Sequence, residues 1–163
     1  MKTLKRLISI VAITLFSISC SHSDDSSTTT SASNDNFISA KIDGVDYRVT
    51  GDAITGDQNS LAFNFRSDIT GGGTGMDFSI NGQAAVGSYS LTYSNATAAG
   101  RLNYRLNSTI YSTSICSTST GIVTITSKNG NTIEGTFSFT GKKVLGCSES
   151  AKTITNGAFK VTL

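Results

Sequence analysis

Eight carboxylates lie between residues 37 and 163: Asp43, Asp46, Asp52, Asp57, Asp68, Asp77, Glu134 and Glu149. Two of them facing a cleft at a set separation would supply the acid and the base or nucleophile of a glycoside hydrolase. Their spacing selects no such pair. Asp43 and Asp46 flank a turn, Asp77 and Glu134 fall on the outward phase of alternating runs, and groups of this kind are ordinarily solvated. Asp52 and Asp57 sit in the loop-like stretch Gly51–Asn59 and would add to a weak calcium site, but the regular oxygen spacing of a dedicated calcium loop is missing. The only histidine is His22, outside this stretch. Its absence from the folded part removes Ser-His and Cys-His nucleophilic pairs and the usual zinc ligand sets. Gly71-Gly72-Gly73-Thr74-Gly75 lacks the Gly-Lys-Ser/Thr ending and the following helix of a phosphate loop. No catalytic residue, resident metal or cofactor is therefore expected, and the chain reads as a non-enzyme.

Three cysteines remain to be placed. Cys116 follows the strand-like run Thr109–Ile115, and Cys147 lies in the polar stretch Gly141–Ser150. A reactive thiol at either position would need a partner such as histidine to hold the thiolate. A structural disulfide between the two is the better reading for an exported domain. The tyrosines are weighed as sugar-stacking platforms, since the chain has no Trp. Tyr89, Tyr93 and Tyr104 run in phase with core residues, which leaves Tyr111 as the candidate ligand contact.

The third cysteine belongs to an address. Lys2, Lys5 and Arg6 precede the apolar run Leu7–Ile18, and Ser19 and Cys20 follow. A basic start, a short apolar core and a small-residue junction describe a secretory signal peptide over residues 1–19. The apolar run is well short of the roughly twenty residues that span a bilayer. Ser17-Ile18-Ser19-Cys20 resembles a bacterial lipobox, with Ser17 where Leu is usual. This makes Cys20 the lipidated first residue of the mature chain, anchored to the membrane by several acyl chains such as palmitate. Residues 20–36 then read as a flexible tether, because Ser21–Asn36 contains no large apolar residue and cannot offset its own ordering entropy. A segment of that length reaches on the order of 20–25 Å. His22 is read as part of this solvated tether. The acidic pair Asp24-Asp25 resembles a surface-export signal of lipoproteins. Outer-membrane anchoring with the domain facing the exterior is the expectation, and a periplasm-facing domain is the alternative.

Whatever chemistry residues 37–163 perform must be positioned by strands. Leu61, Phe63 and Phe65 alternate with polar or small residues, as do Met76, Phe78 and Ile80. Tyr89, Leu91 and Tyr93 repeat the pattern, then Leu102, Tyr104 and Leu106, and finally Ile133, Phe137 and Phe139 in phase with Gly135. Phe159, Val161 and Leu163 close the chain. A period of two that buries one face and wets the other is the signature of antiparallel sheet. Asp43-Gly44 predicts a hairpin, and Asn81-Gly82, Asn129-Gly130 and Asn156-Gly157 predict further turns or bulges. The expectation is a single all-β domain, an antiparallel β-sandwich of about nine or ten strands, with a flattened lipocalin-like barrel as the alternative. The charged fraction is 15%, below the usual value of about 25%. Without the leader, ten basic residues face eleven acidic ones. The basic residues look scattered along the sequence, so a nucleic-acid partner is not expected.

Five segments resemble, in order, a family of small Bacteroidota lipoproteins known only as a domain of unknown function. They are Ser39-Ala40-Lys41-Ile42-Asp43-Gly44, Val86-Gly87-Ser88-Tyr89-Ser90-Leu91, Gly121-Ile122-Val123-Thr124-Ile125-Thr126, Glu134-Gly135-Thr136-Phe137-Ser138-Phe139-Thr140 and Ile154-Thr155-Asn156-Gly157-Ala158-Phe159-Lys160-Val161. Each is strand-and-turn grammar, so the resemblance implies location and fold and carries no catalytic residue. The Cys116 and Cys147 pair is not part of it. The expected role is a non-catalytic binding or envelope-interaction module, with a glycan or an envelope protein as partner. The alternatives are a carboxylate-dependent glycan-acting enzyme and an inhibitor of a secreted hydrolase acting through residues 67–75 or 141–150.

Overall fold

The computed structural model describes residues 35–59, 62–67, 73–143 and 146–163. Cys20, His22, Asp24 and Asp25 lie outside them. Eleven strands form one antiparallel sheet: β1 (Phe37–Ile42), β2 (Val45–Thr50), β3 (Ile54–Gln58), β4 (Ala62–Ser67), β5 (Thr74–Asn81), β6 (Gly87–Ser90), β7 (Gly100–Leu106), β8 (Thr109–Ser112), β9 (Thr120–Asn129), β10 (Thr132–Lys143) and β11 (Lys152–Thr162). The one α-helix among the described residues is a single turn, α1 (Ala96–Ala99). The all-β expectation holds, with eleven strands among the described residues where about nine or ten are expected.

The sheet runs β2-β1-β11-β10-β8-β7-β5-β4-β3, with β9 also on β10 and β6 on β9. It curls until its ends, β2 and β3, are joined in sequence by a 3-10 turn at Gly51–Ala53, and it is nearly closed into a barrel. Asn36 helps to hold the curl. Its side chain accepts from Thr162 N at 2.8 Å and donates to Ile54 O at 3.4 Å, touching β11 and β3 at once. Asn36 is 2% exposed, so the last residue of the predicted tether is a fixed part of the domain.

The alternation read from sequence is the core. Phe63, Phe65, Met76, Phe78, Ile80, Leu102, Tyr104, Ile133, Phe137, Phe139, Phe159 and Val161 are all buried. Aromatic rings bridge the interior from both faces. Phe78 meets Phe137 at 4.5 Å and Phe65 at 4.9 Å, and Phe65 meets Phe159 at 5.0 Å. Edge-to-face and tilted arrangements of this kind add attraction beyond the area they bury.

Two readings from the sequence are corrected. Gly51–Asn59 is not a loop, because its residues 54–58 form β3. One apolar side chain, Ile54, is buried there, and a terminal strand with one inward hydrophobe shows no period to detect. Tyr93 is not a core residue. Strand β6 ends at Ser90, and Tyr93 opens a 3-10 turn and is 52% exposed. The capping of that turn by Thr92 and Asn95 ends the strand before the apparent alternation does.

The predicted turns occur. Asp43 (φ 48°) and Gly44 (φ 85°) form a two-residue hairpin between paired Ile42 and Val45, with both central residues left-handed as such a loop requires. Asn156 (φ 51°) marks a bulge in β11, and the pairing shifts there against both β10 and β1. Gly157, next to it, lies under Phe137: a Cβ at this position would come within 2.6 Å of the Phe137 ring and closer still to its carbonyl oxygen. Cys116 and Cys147 form a disulfide, with Cα atoms 5.7 Å apart, across a sequence separation of 31. It ties the segment after β8 to the connection between β10 and β11.

Two stability predictions follow from this packing. Gly157→Ala drives a methyl into the Phe137 ring and backbone and should cost about 1–3 kcal/mol, read as a lower urea midpoint. The double variant Cys116→Ser/Cys147→Ser should lose roughly 3–4 kcal/mol through freed chain entropy. Reductant should then lower the midpoint of the parent protein and leave that of the variant unchanged.

Candidate functional site

Strands β3, β4, β5 and β7 turn their polar phase outward over the buried aromatic core. Cross-strand pairing arranges these side chains in two rows. One row reads Thr55, Arg66, Asp77, Asn103, and the next reads Asp57, Asn64, Ser79, Arg101. Arg105 lies two residues beyond Asn103 on β7. The rows line a trough of about 610 Å³. At Ser79 and Arg101 it continues into a second hollow of about 460 Å³ beside α1.

The electrostatics of the trough turn on Asp77. Its carboxylate accepts from Arg105 Nε at 2.8 Å and from Asn103 Nδ2 at 2.5 Å, both on β7. Arg66 stands directly opposite Asp77 on β4, and the carboxylate is turned away from it. Asp57 accepts from Asn64 Nδ2 at 3.3 Å. Arg66 and Arg101 are exposed, and among the described residues neither has an ion-pair partner. Two guanidiniums without an ion-pair partner among the described residues therefore project over a floor that mixes the neutral Thr55, Asn64 and Ser79 with Asp57 and Asp77. Guanidinium forks suit the planar recognition of carboxylate, sulfate or phosphate oxygens.

These arginines look scattered in the sequence, and the sheet brings them together. The signal was present in the outward phase: Asn64 and Arg66 between inward phenylalanines, and Arg101, Asn103 and Arg105 between inward Leu102 and Tyr104. What the sequence does not contain is which strands are neighbours. Asp57 and Asp77 also share the trough, two strands apart and in adjacent rows. Asp77 accepts from Arg105 and Asn103, and Asp57 from Asn64. No cluster of three or more His, Cys, Asp or Glu side chains suited to a metal occurs among the described residues.

Tyr111, the candidate ligand contact, lies elsewhere, at one end of the barrel. It is half-buried and stacks on Tyr104 with ring centroids 6.0 Å apart. Burial raises the Tyr104 hydroxyl above the usual tyrosine range, and the same effect raises Tyr47, whose hydroxyl lies 3.1 Å from Ser67 Oγ. Lys152 and Asp43 stand at this end as an ion pair of 2.6 Å. The hydrogen bond from Lys152, helped by one from Thr153 N at 2.9 Å, holds the Asp43 carboxyl below the usual carboxylate range. The hydrogen bond to Asp43 in turn raises Lys152. The cluster pins the β1–β2 hairpin to β11. Of the two loops considered for an inhibitor, residues 68–72 and 144–145 lie outside the described residues.

A nearly closed antiparallel sheet with a mixed-charge trough on its outer face is the class that these features define. The chain belongs to the family described as a domain of unknown function, DUF6252, whose sequence model matches residues 26–161. No curated protein and no solved structure matches the chain.

Asp43→Asn tests the hairpin pin, since Asn also tolerates the left-handed backbone there. With both partners part-exposed, the loss at neutral pH should be about 1 kcal/mol or less. A lowered Asp43 pKa adds stability that is present above the ordinary Asp value and disappears as pH falls through the folded-state value. The parent protein should therefore lose this increment on acidification below about pH 4. Thermal melts of the variant should have a flatter acid limb.

Proposed function

We propose that this protein is a lipid-anchored binding module of the outer membrane, carried on a flexible tether and facing the cell exterior. The single observation behind the binding role is the trough: Arg66 and Arg101, without an ion-pair partner among the described residues, on adjacent rows of the sheet beside Thr55, Asn64 and Ser79. The address rests on the leader: the basic start and apolar run of residues 1–19, Cys20 at the junction, and Asp24-Asp25 in the tether.

Protease added to intact cells, with lysed cells as control, tests the location. Digestion of the domain on intact cells is expected. Protection until lysis would place the domain in the periplasm and remove the role assigned to Asp24-Asp25. Cys20→Ser should abolish labelling by a fatty-acid probe and release the protein from the membrane fraction. Retention of label by that variant would overturn the anchor.

A further inference from the structure

Resting on the binding-module reading, we infer that the trough on β3, β4, β5 and β7 takes an extended acidic polysaccharide, one that carries carboxylate or sulfate groups at intervals along a neutral, hydroxyl-rich chain. Charge complementarity sets the first half of this assignment. Strand pairing places Arg66 opposite Asp77 and Arg101 opposite Ser79, so the Cα atoms of the two arginines are two strands and two residues apart, about 12 Å in sheet geometry. Arg105 is engaged by Asp77 at 2.8 Å, which leaves those two as the trough cations without an ion-pair partner among the described residues. An anionic chain crossing the rows obliquely meets both.

The floor between them sets the second half. Asn64 and Ser79 lie between the rows' charged ends, with Thr55 at the margin, and all three both donate and accept hydrogen bonds. That capacity matches sugar hydroxyls. The two carboxylates in the same trough, Asp57 and Asp77, repel a ligand with charge at every step. A phosphodiester backbone is of that kind, whereas a sugar chain with charges set apart can place a hydroxyl beside each carboxylate. An acidic peptide fits less well. The site is the side-chain face of a sheet and not its edge, so it offers no backbone ladder to an extended peptide. The outward side chains of the two rows also include no aromatic or aliphatic residue to receive an apolar anchor. Recognition by charge and hydrogen bonds alone should be salt-sensitive and of modest affinity.

The test uses the full chain in detergent, titrated by calorimetry or interferometry with polygalacturonate and dextran sulfate. Neutral dextran, polyglutamate and single-stranded DNA serve as comparison probes. The expected result is saturable binding to at least one acidic polysaccharide, stronger than to any comparison probe and weakened by added salt. Arg66→Gln/Arg101→Gln should reduce that affinity roughly tenfold or more. Both positions are exposed, and an unchanged thermal midpoint confirms that the variant is folded. Arg48→Gln, outside the trough, should bind as the parent does. Unchanged binding in the double variant would overturn the assignment. So would a preference for polyglutamate or DNA, or the absence of binding to both acidic polysaccharides. Equal binding to dextran, unaffected by the double variant, would also overturn it while leaving the binding-module reading intact with its contact surface elsewhere.

Discussion

Strand β10 is the one element that both halves of the sheet share. Along Thr132–Gly141 it pairs with β11 on one side, and along Thr132–Thr140 with β9 on the other. Its last residues, Lys142 and Lys143, then pair with β8 and so with the strands that carry the trough. A twelve-residue strand that changes neighbour near its end lets one sheet fold over itself without a break in hydrogen bonding. Its inward residues, Ile133, Phe137 and Phe139, fill the space that the fold encloses. Phe137 meets Phe78 from the opposite wall, so the trough's own strands are supported from beneath by the strand that joins the two halves.

Small residues make that closeness possible. Gly135 faces the Phe159 ring and the Thr124 carbonyl, and Gly157 faces Phe137. Aromatic side chains and neighbouring backbone thus share space that any Cβ would claim. The rings packed over these glycines meet those of the trough strands across the interior, Phe137 against Phe78 and Phe159 against Phe65. The placement of Arg66 and Arg101 is in this sense a product of Phe65, Phe78 and Leu102, whose inward packing fixes the direction in which the outward neighbours point.

Much of the fold was legible because one face of each strand is dry. Runs such as Met76-Asp77-Phe78-Ser79-Ile80 state their own parity, and Asp43-Gly44 states its own turn. The strand without that pattern, β3, was missed. Tyr93 continued an alternation past the residue where capping had already ended the strand. The site was less legible for a different reason. Each arginine's orientation could be read from its strand, but Arg66 and Arg101 become neighbours only through the pairing order β4-β5-β7. That order follows from a three-dimensional closure that local period does not encode. The turn of the Asp77 carboxylate toward β7, which leaves Arg66 open, is a choice among partners that only the assembled sheet presents.

The pairing of β1 with β11 joins the two ends of the domain, with Phe37 beside Lys160 and Ile38 beside Phe159. The first strand of the domain therefore finds one of its two neighbours, β11, only among the last residues. Until then β1 and the hairpin it forms with β2 have no long neighbour, and the loop to be closed is nearly the whole domain. Such topologies fold slowly because distant contacts must form before the entropy of closure is offset. Whatever order the strands form in, this domain cannot complete itself while its final strand is still being made.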